Sequence, residues 1–123
     1  MQRVLLLLVL MLLPLAVEAQ AQEVPAEAEK DLWCGTAFEL MTRDTPPDAT
    51  PEKLAATAVF AEGGKRLIAR ALPIFLEAGY SDSALAEYRR KLEDSVSRVV
   101  NGSTRAGEEP AYSFQDCSAL IGQ

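Results

Sequence analysis

Ser83–Val100 reads SALAEYRRKLEDSVSRVV, the most regularly spaced stretch in the chain. Its large apolar residues Leu85, Tyr88, Leu92, Val96 and Val99 recur at steps of three and four, which places them along one face of an α-helix and rules out the two-residue period of a strand. The opposite face carries Glu87–Lys91 and Asp94–Arg98, acid-first pairs four residues apart, each worth a few tenths of a kcal/mol to a helix. Ser81, Asp82 and Ser83 supply candidate N-caps, and Asn101-Gly102 supplies the stop.

Moving toward the N-terminus, Gly79 closes a preceding helical run, Lys65 to Ala78, with Leu67, Ile68, Ala71, Leu72, Phe75 and Leu76 as its apolar positions. Pro73 lacks an N–H and crowds the carbonyl of Ala69, so a bend is expected near Leu72. Ahead of it, Thr50-Pro51 reads as an N-cap followed by proline at the first helical position. The helix so begun has a small-sided face of Leu54, Ala58, Val59 and Ala61, and then meets Gly63-Gly64. Two glycines cost a helix interior roughly 2 kcal/mol against alanine, so the pair marks a break, a kink or a point of very close packing.

The loop RDTPPDAT (43–50) separates that region from a first helix, Ala28 to Thr42, whose apolar positions are Leu32, Trp33, Ala37, Leu40 and Met41. Toward the C-terminus, Ser113 and Asp116 have capping-box spacing at the start of a short helix, Phe114 to Ile121. No stretch shows strand alternation with turn pairs, and no internal repeat is visible. The fold expected is all-α, a small bundle of four to five helices.

Met1-Gln2-Arg3 followed by the fourteen-residue apolar run Val4–Val17 (VLLLLVLMLLPLAV) has the form of a secretory signal peptide, residues 1–19, with cleavage after Ala19 or Ala21. The run is short for a membrane span, which needs roughly 20 apolar residues, so no stable membrane anchor is expected after cleavage. Residues 20–29 are mostly Ala, Gln and Glu and read as a flexible leader, leaving 30–123 as a single helical domain. An exported chain meets oxidising conditions, so its two cysteines are expected to pair as Cys34–Cys117. The bridge closes a long loop, worth roughly 4–5 kcal/mol in the chain-entropy model. Trp33 beside one cysteine, and Tyr112 and Phe114 beside the other, should meet at the bridge. Burial of Trp33 there is favoured over an exposed binding tryptophan.

Chemistry is sparse. The sequence contains no histidine, which removes the commonest general base and the commonest zinc ligand. Gly63-Gly64-Lys65 fails as a phosphate loop, because Val59 and Arg66 stand where glycine and a hydroxyl are required. Asp44 to Asp48 holds two prolines and lacks calcium-loop spacing. The redox turn Cys-x-x-Cys and the haem motif are absent, and neither a cofactor nor a metal is expected. Glu62, in concert with Glu39 or Glu77, is the one conceivable carboxylate pair, and helix-borne carboxylates are ordinarily solvated. Asn101-Gly102-Ser103 is a formal glycosylation sequon that also reads as a helix end.

The net charge of −6 is unchanged by loss of the signal peptide, which removes Arg3 and Glu18 together. That balance argues against nucleic acid as a partner, and the basic run Arg89-Arg90-Lys91 is interleaved with acids. Three functions follow as expectations. The leading one is an exported, periplasmic or extracellular, non-enzymatic helical module that binds another protein or itself. A second is an acid- or stress-responsive chaperone, in which neutralised carboxylates leave the cations repelling one another. A third is a small-ligand carrier or enzyme with a site at Gly63-Gly64 lined by Glu62, Lys65 and Tyr88.

Overall fold

The computed structural model describes residues 23–122, so the signal peptide expected over 1–19 and both cleavage positions lie outside the described residues. Four helices make up the fold: α1 (Ala26–Thr42), α2 (Pro51–Glu77), α3 (Asp82–Val100) and α4 (Phe114–Ile121), with no strand among the described residues. Helix α1 lies at the centre and touches each of the other three, whereas α2 and α3 meet only slightly. It runs antiparallel to α2, as Asp31 faces Arg70, Gly35 faces Gly64, and Phe38 faces Phe60.

The helix ends follow from local chemistry. Thr50 caps α2 by accepting from the Lys53 N–H at 3.2 Å, with Pro51 in the first turn. Ser113 and Asp116 form the reciprocal capping box of α4, each backbone N–H donating to the other's side chain at 3.1 Å. Helix α2 ends in a left-handed turn at Gly79 (φ 102°). There the Gly79 N–H donates to Leu76 O and the Tyr80 N–H to Phe75 O, satisfying carbonyls the helix would otherwise orphan. Helix α3 ends the same way at Gly102 (φ 68°), with Ser103 N–H on Arg98 O.

Two expectations are resolved here. Of the three readings of Gly63-Gly64, break, kink or close packing, the break falls, since α2 runs as one helix through both glycines and through Pro73 to Glu77. The glycines are points of close packing. A Cβ on Gly35 would lie 2.8 Å from the Gly64 carbonyl oxygen, and one on Gly63 only 2.5 Å from Ile121 Cγ2. Helix α1 therefore meets α2 backbone to backbone, and α4 seats Ile121 on the glycine surface. Pro73 is exposed, as is Ala69, so water can take the carbonyl that proline leaves unpaired.

The second concerns residues 23–29, the described part of the leader expected over 20–29. Val24 is buried, α1 begins at Ala26, and Ala28 is wholly buried. Both join a cluster with Leu32 from α1, Ile68, Ala71 and Phe75 from α2, and Leu85 from α3. Glu27 and Glu29 in the first turn face the positive end of the helix dipole. Composition alone showed too little apolar surface there, but two well-placed residues suffice to dock the segment.

Asp31 is the buried charge of the core, only 5% exposed. It accepts two hydrogen bonds from Arg70, Nε at 2.7 Å and Nη2 at 2.8 Å, while the Arg70 side chain remains about half in solvent. Those bonds hold the guanidinium pKa above its ordinary value, against a smaller opposing effect of desolvation.

Candidate functional site

The second buried cluster consists of Cys34, Phe38, Leu67 and Cys117, and the groove lies on its outer side. Cys34 and Cys117 are bonded, with Cα atoms 5.2 Å apart, and both are buried, so the bridge ties α4 directly to the centre of α1. Around it the chain leaves an open groove of about 740 Å³. One wall is a stripe of α1, Trp33, Ala37, Phe38 and Met41, and the facing wall is the 109–113 loop with Phe114. Val99 and Val100, the last turn of α3, close one end.

Aromatic contacts shape this surface. Trp33 and Tyr112 meet edge to face with centroids 5.6 Å apart, and Phe114 lies 5.7 Å from Phe60 and 6.2 Å from Phe38. Lys30 places its Nζ 5.7 Å from the Tyr112 ring centre, within cation–π range. Phe114 is nevertheless 54% exposed and Met41 48%, so the groove's rim offers large apolar side chains to solvent. Isolated exposed hydrophobics are ordinary, but several grouped around one concave surface are the usual mark of a binding site.

Polar groups at the groove are few and mostly committed. The Asp116 carboxyl is held below its ordinary pKa, first by the Ser113 backbone N–H and then by its hydroxyl. Glu108, next to the lining residue Glu109, is likewise depressed by hydrogen bonding to Arg98, which it meets at 2.9 and 3.0 Å. Arg98 is shared with Asp94 at 2.7 Å, and these bonds raise its own pKa. Together they brace the 103–113 loop, the outer wall of the groove, against α3. Burial, and to a lesser extent Glu29, pushes the Tyr112 hydroxyl above its ordinary value.

The residues singled out from the sequence fall into two groups. Cys34, Cys117, Trp33, Tyr112 and Phe114 come together as expected, although Trp33 is half-buried and forms a wall of the groove. Glu62, Gly63, Gly64, Lys65 and Tyr88 do not form a site. Gly63 is covered by Ile121 and Gly64 by Phe38 and the Gly35 carbonyl, so no ligand space remains at the glycine pair. Glu62 and Lys65 are exposed, and Tyr88 packs against Phe75, tilted, and Tyr80, edge to face, in the first cluster, with centroids 5.0 and 5.8 Å away. Burial, then Glu29, raises the Tyr88 hydroxyl pKa. Glu62 and Glu77 share α2 fifteen residues apart, about 22 Å at helical rise, too far to work as a pair.

Phe38, Met41, Val99 and Val100 are the groove residues that periodicity alone counted as core or passed over. Phe38 and Met41 belong to a broad set of apolar positions around α1, and Val99 and Val100 form the apolar last turn of α3. Among the described residues, no group of three or more Cys, Asp or Glu side chains is placed to hold a metal ion, and no helix is long and apolar enough to cross a membrane.

No family model matches this chain, and neither the curated proteins nor the solved structures contain a match to it.

Proposed function

We propose that this chain is an exported, non-enzymatic binding module that holds an apolar segment of a partner protein in the α1–α3–α4 groove. The observation that carries the proposal is the groove itself: a concave surface of Trp33, Phe38, Met41 and Phe114 left open over the buried Cys34–Cys117 cluster. Its size falls within the roughly 300–1,000 Å³ typical of binding pockets. The disulfide beneath it and the braced loop beside it fix its walls before any partner arrives, which lowers the entropic cost of association. The absence of histidine from the sequence and the engagement of Asp116 with Ser113 support binding over catalysis.

A photo-crosslinking residue at Met41 or Phe114 tests this in the cell that makes the protein, with the same residue at Arg90 on α3 as the control. The expected result is a protein adduct from both groove positions, absent from Arg90 and lost when Ala111→Phe fills the groove. Adducts from all three positions alike, or from none, would count against the groove as the functional surface. Size-exclusion chromatography of the mature chain separates self-association from capture of another protein.

One observation favours acid-responsive chaperoning as a second reading. The loop wall is held by Glu108 and Asp116, carboxylates that acid neutralises, so low pH frees the wall and exposes the apolar floor. An environment-sensitive dye should then bind below about pH 4 and not at pH 7. Identical dye signals at both would dispose of it.

A further inference from the structure

The chemistry of the groove's occupant can be taken further, on the reading that the groove is the binding surface. We infer that it takes a short amphipathic helix of another protein, apolar on one face and flanked by lysine or arginine.

Charge supplies one part of the argument. Two carboxylates, Glu109 and Asp116, line the groove, and no lysine or arginine does. Of the cations nearby, Arg98 lies between Asp94 and Glu108 and Lys30 sits on the Tyr112 ring, while Arg105 is on the same loop but outside the groove lining. The lining itself is therefore negative, in a chain whose net charge is −6. A cationic flank is attracted during approach and an anionic one repelled, with the effect weakening as salt is added.

Backbone chemistry supplies the other part. An extended peptide binds by adding its N–H and C=O groups to a strand edge, and there is no strand among the described residues. One wall, α1, is a helix whose main chain is internally bonded and which offers apolar side chains, and the other is the 109–113 loop with Phe114. A helix satisfies its own backbone and can lie against α1 without drawing hydrogen bonds from it. Trp33, Ala37 and Met41 repeat every four residues along α1, a wall about 12 Å long. That length matches apolar anchors on two turns of a partner helix, at i, i+4 and i+7.

Three synthetic helical peptides with one leucine face, flanked by lysine, glutamine or glutamate, test the inference on the full mature chain. Trp33 is the only tryptophan and lines the groove, so its fluorescence reports occupancy. The lysine peptide should bind tightest and weaken with salt. Glu109→Lys, an exposed change, should weaken that peptide by about three- to tenfold and strengthen the glutamate peptide by a similar factor. Ala111→Phe should weaken all three.

If all three peptides bind equally and Glu109→Lys changes nothing, the cationic assignment falls while the groove reading stands. If none perturbs Trp33, or if binding ignores Ala111→Phe, both fall. A chain that dimerises through the groove and excludes every peptide would also overturn the assignment.

Discussion

Replacing Gly35 with alanine sets two effects of known sign against each other. In a helix interior alanine is favoured over glycine by about 1 kcal/mol, so a glycine that merely interrupts a helix should be improved by the change. Gly35 is different because α2 occupies the space its side chain would need. The new Cβ would sit 2.7 Å from Ile68 Cγ1, 2.8 Å from Gly64 O and 3.1 Å from Ile68 N. Ordinary contacts between carbon atoms lie at roughly 3.5–4.0 Å, so the shortfall approaches an ångström. Two of the three neighbours are backbone atoms and cannot rotate away. The helices must separate, and a gap of about 0.5 Å already forfeits roughly a quarter of each dispersion contact along the seam.

Overpacking costs roughly 1–3 kcal/mol, and the rigidity of this site points to the upper end. After the propensity gain, Gly35→Ala should lose about 2 kcal/mol, or roughly 8–16 °C in Tm for a domain of this size. Gly64→Ala meets its neighbours at 3.0 and 3.1 Å and should lose less. Gly122→Ala, with open space around it, should stay within about 0.5 kcal/mol. Urea and thermal unfolding followed by Trp33 fluorescence and far-UV circular dichroism give the comparison. A Gly35→Ala protein as stable as the parent, or more so, would refute the backbone-to-backbone seam.

Three further outcomes are expected. Replacing both Cys34 and Cys117 with serine should remove up to roughly 4–5 kcal/mol, leaving a chain that is marginal at room temperature; a loss under about 1 kcal/mol in urea unfolding would show that the bridge is not the main tie on α4. Arg70→Met should cost about 2 kcal/mol because it strands the buried Asp31 carboxylate, whereas Asp31→Asn should cost about half that, since water reaches the Arg70 it leaves behind; the opposite order in urea midpoints would reject this assignment. Glu87, Glu108 and Asp116 have folded pKa values below their ordinary ones, so their stabilisation is present above the ordinary carboxylate pKa and is lost as pH falls through the lowered values. The urea midpoint should therefore drop between about pH 5 and pH 3, and a flat profile there would contradict it.

Features that depend on neighbours in sequence were legible before the structure. The α3 stripe, the Thr50-Pro51 start, the Ser113–Asp116 capping box and the Asn101-Gly102 stop each depend on residues within a few positions of one another, and each is found in place. The glycine pair stayed open between break, kink and close packing for the converse reason. What offsets its local penalty is Gly35, far away in the chain, together with Ile121 from the other end. Val24 and Ala28 were missed likewise, because their partners sit on α2 and α3. The groove was half legible: the disulfide predicted that Trp33, Tyr112 and Phe114 would meet. Periodicity marked Met41 and Val99 as apolar but carried no information on whether anything covers them.

The Cys34–Cys117 bond also changes what proteolysis can do to this molecule. Both long loops, 43–50 and 101–113, lie between the bonded cysteines, and each carries an exposed arginine, Arg43 and Arg105. A protease that cuts after either one converts one polypeptide into two without releasing a fragment. The pieces stay joined across α1 and α4 and separate on a gel only after thiol treatment. The domain is built to take a single cut in either loop and keep its parts together.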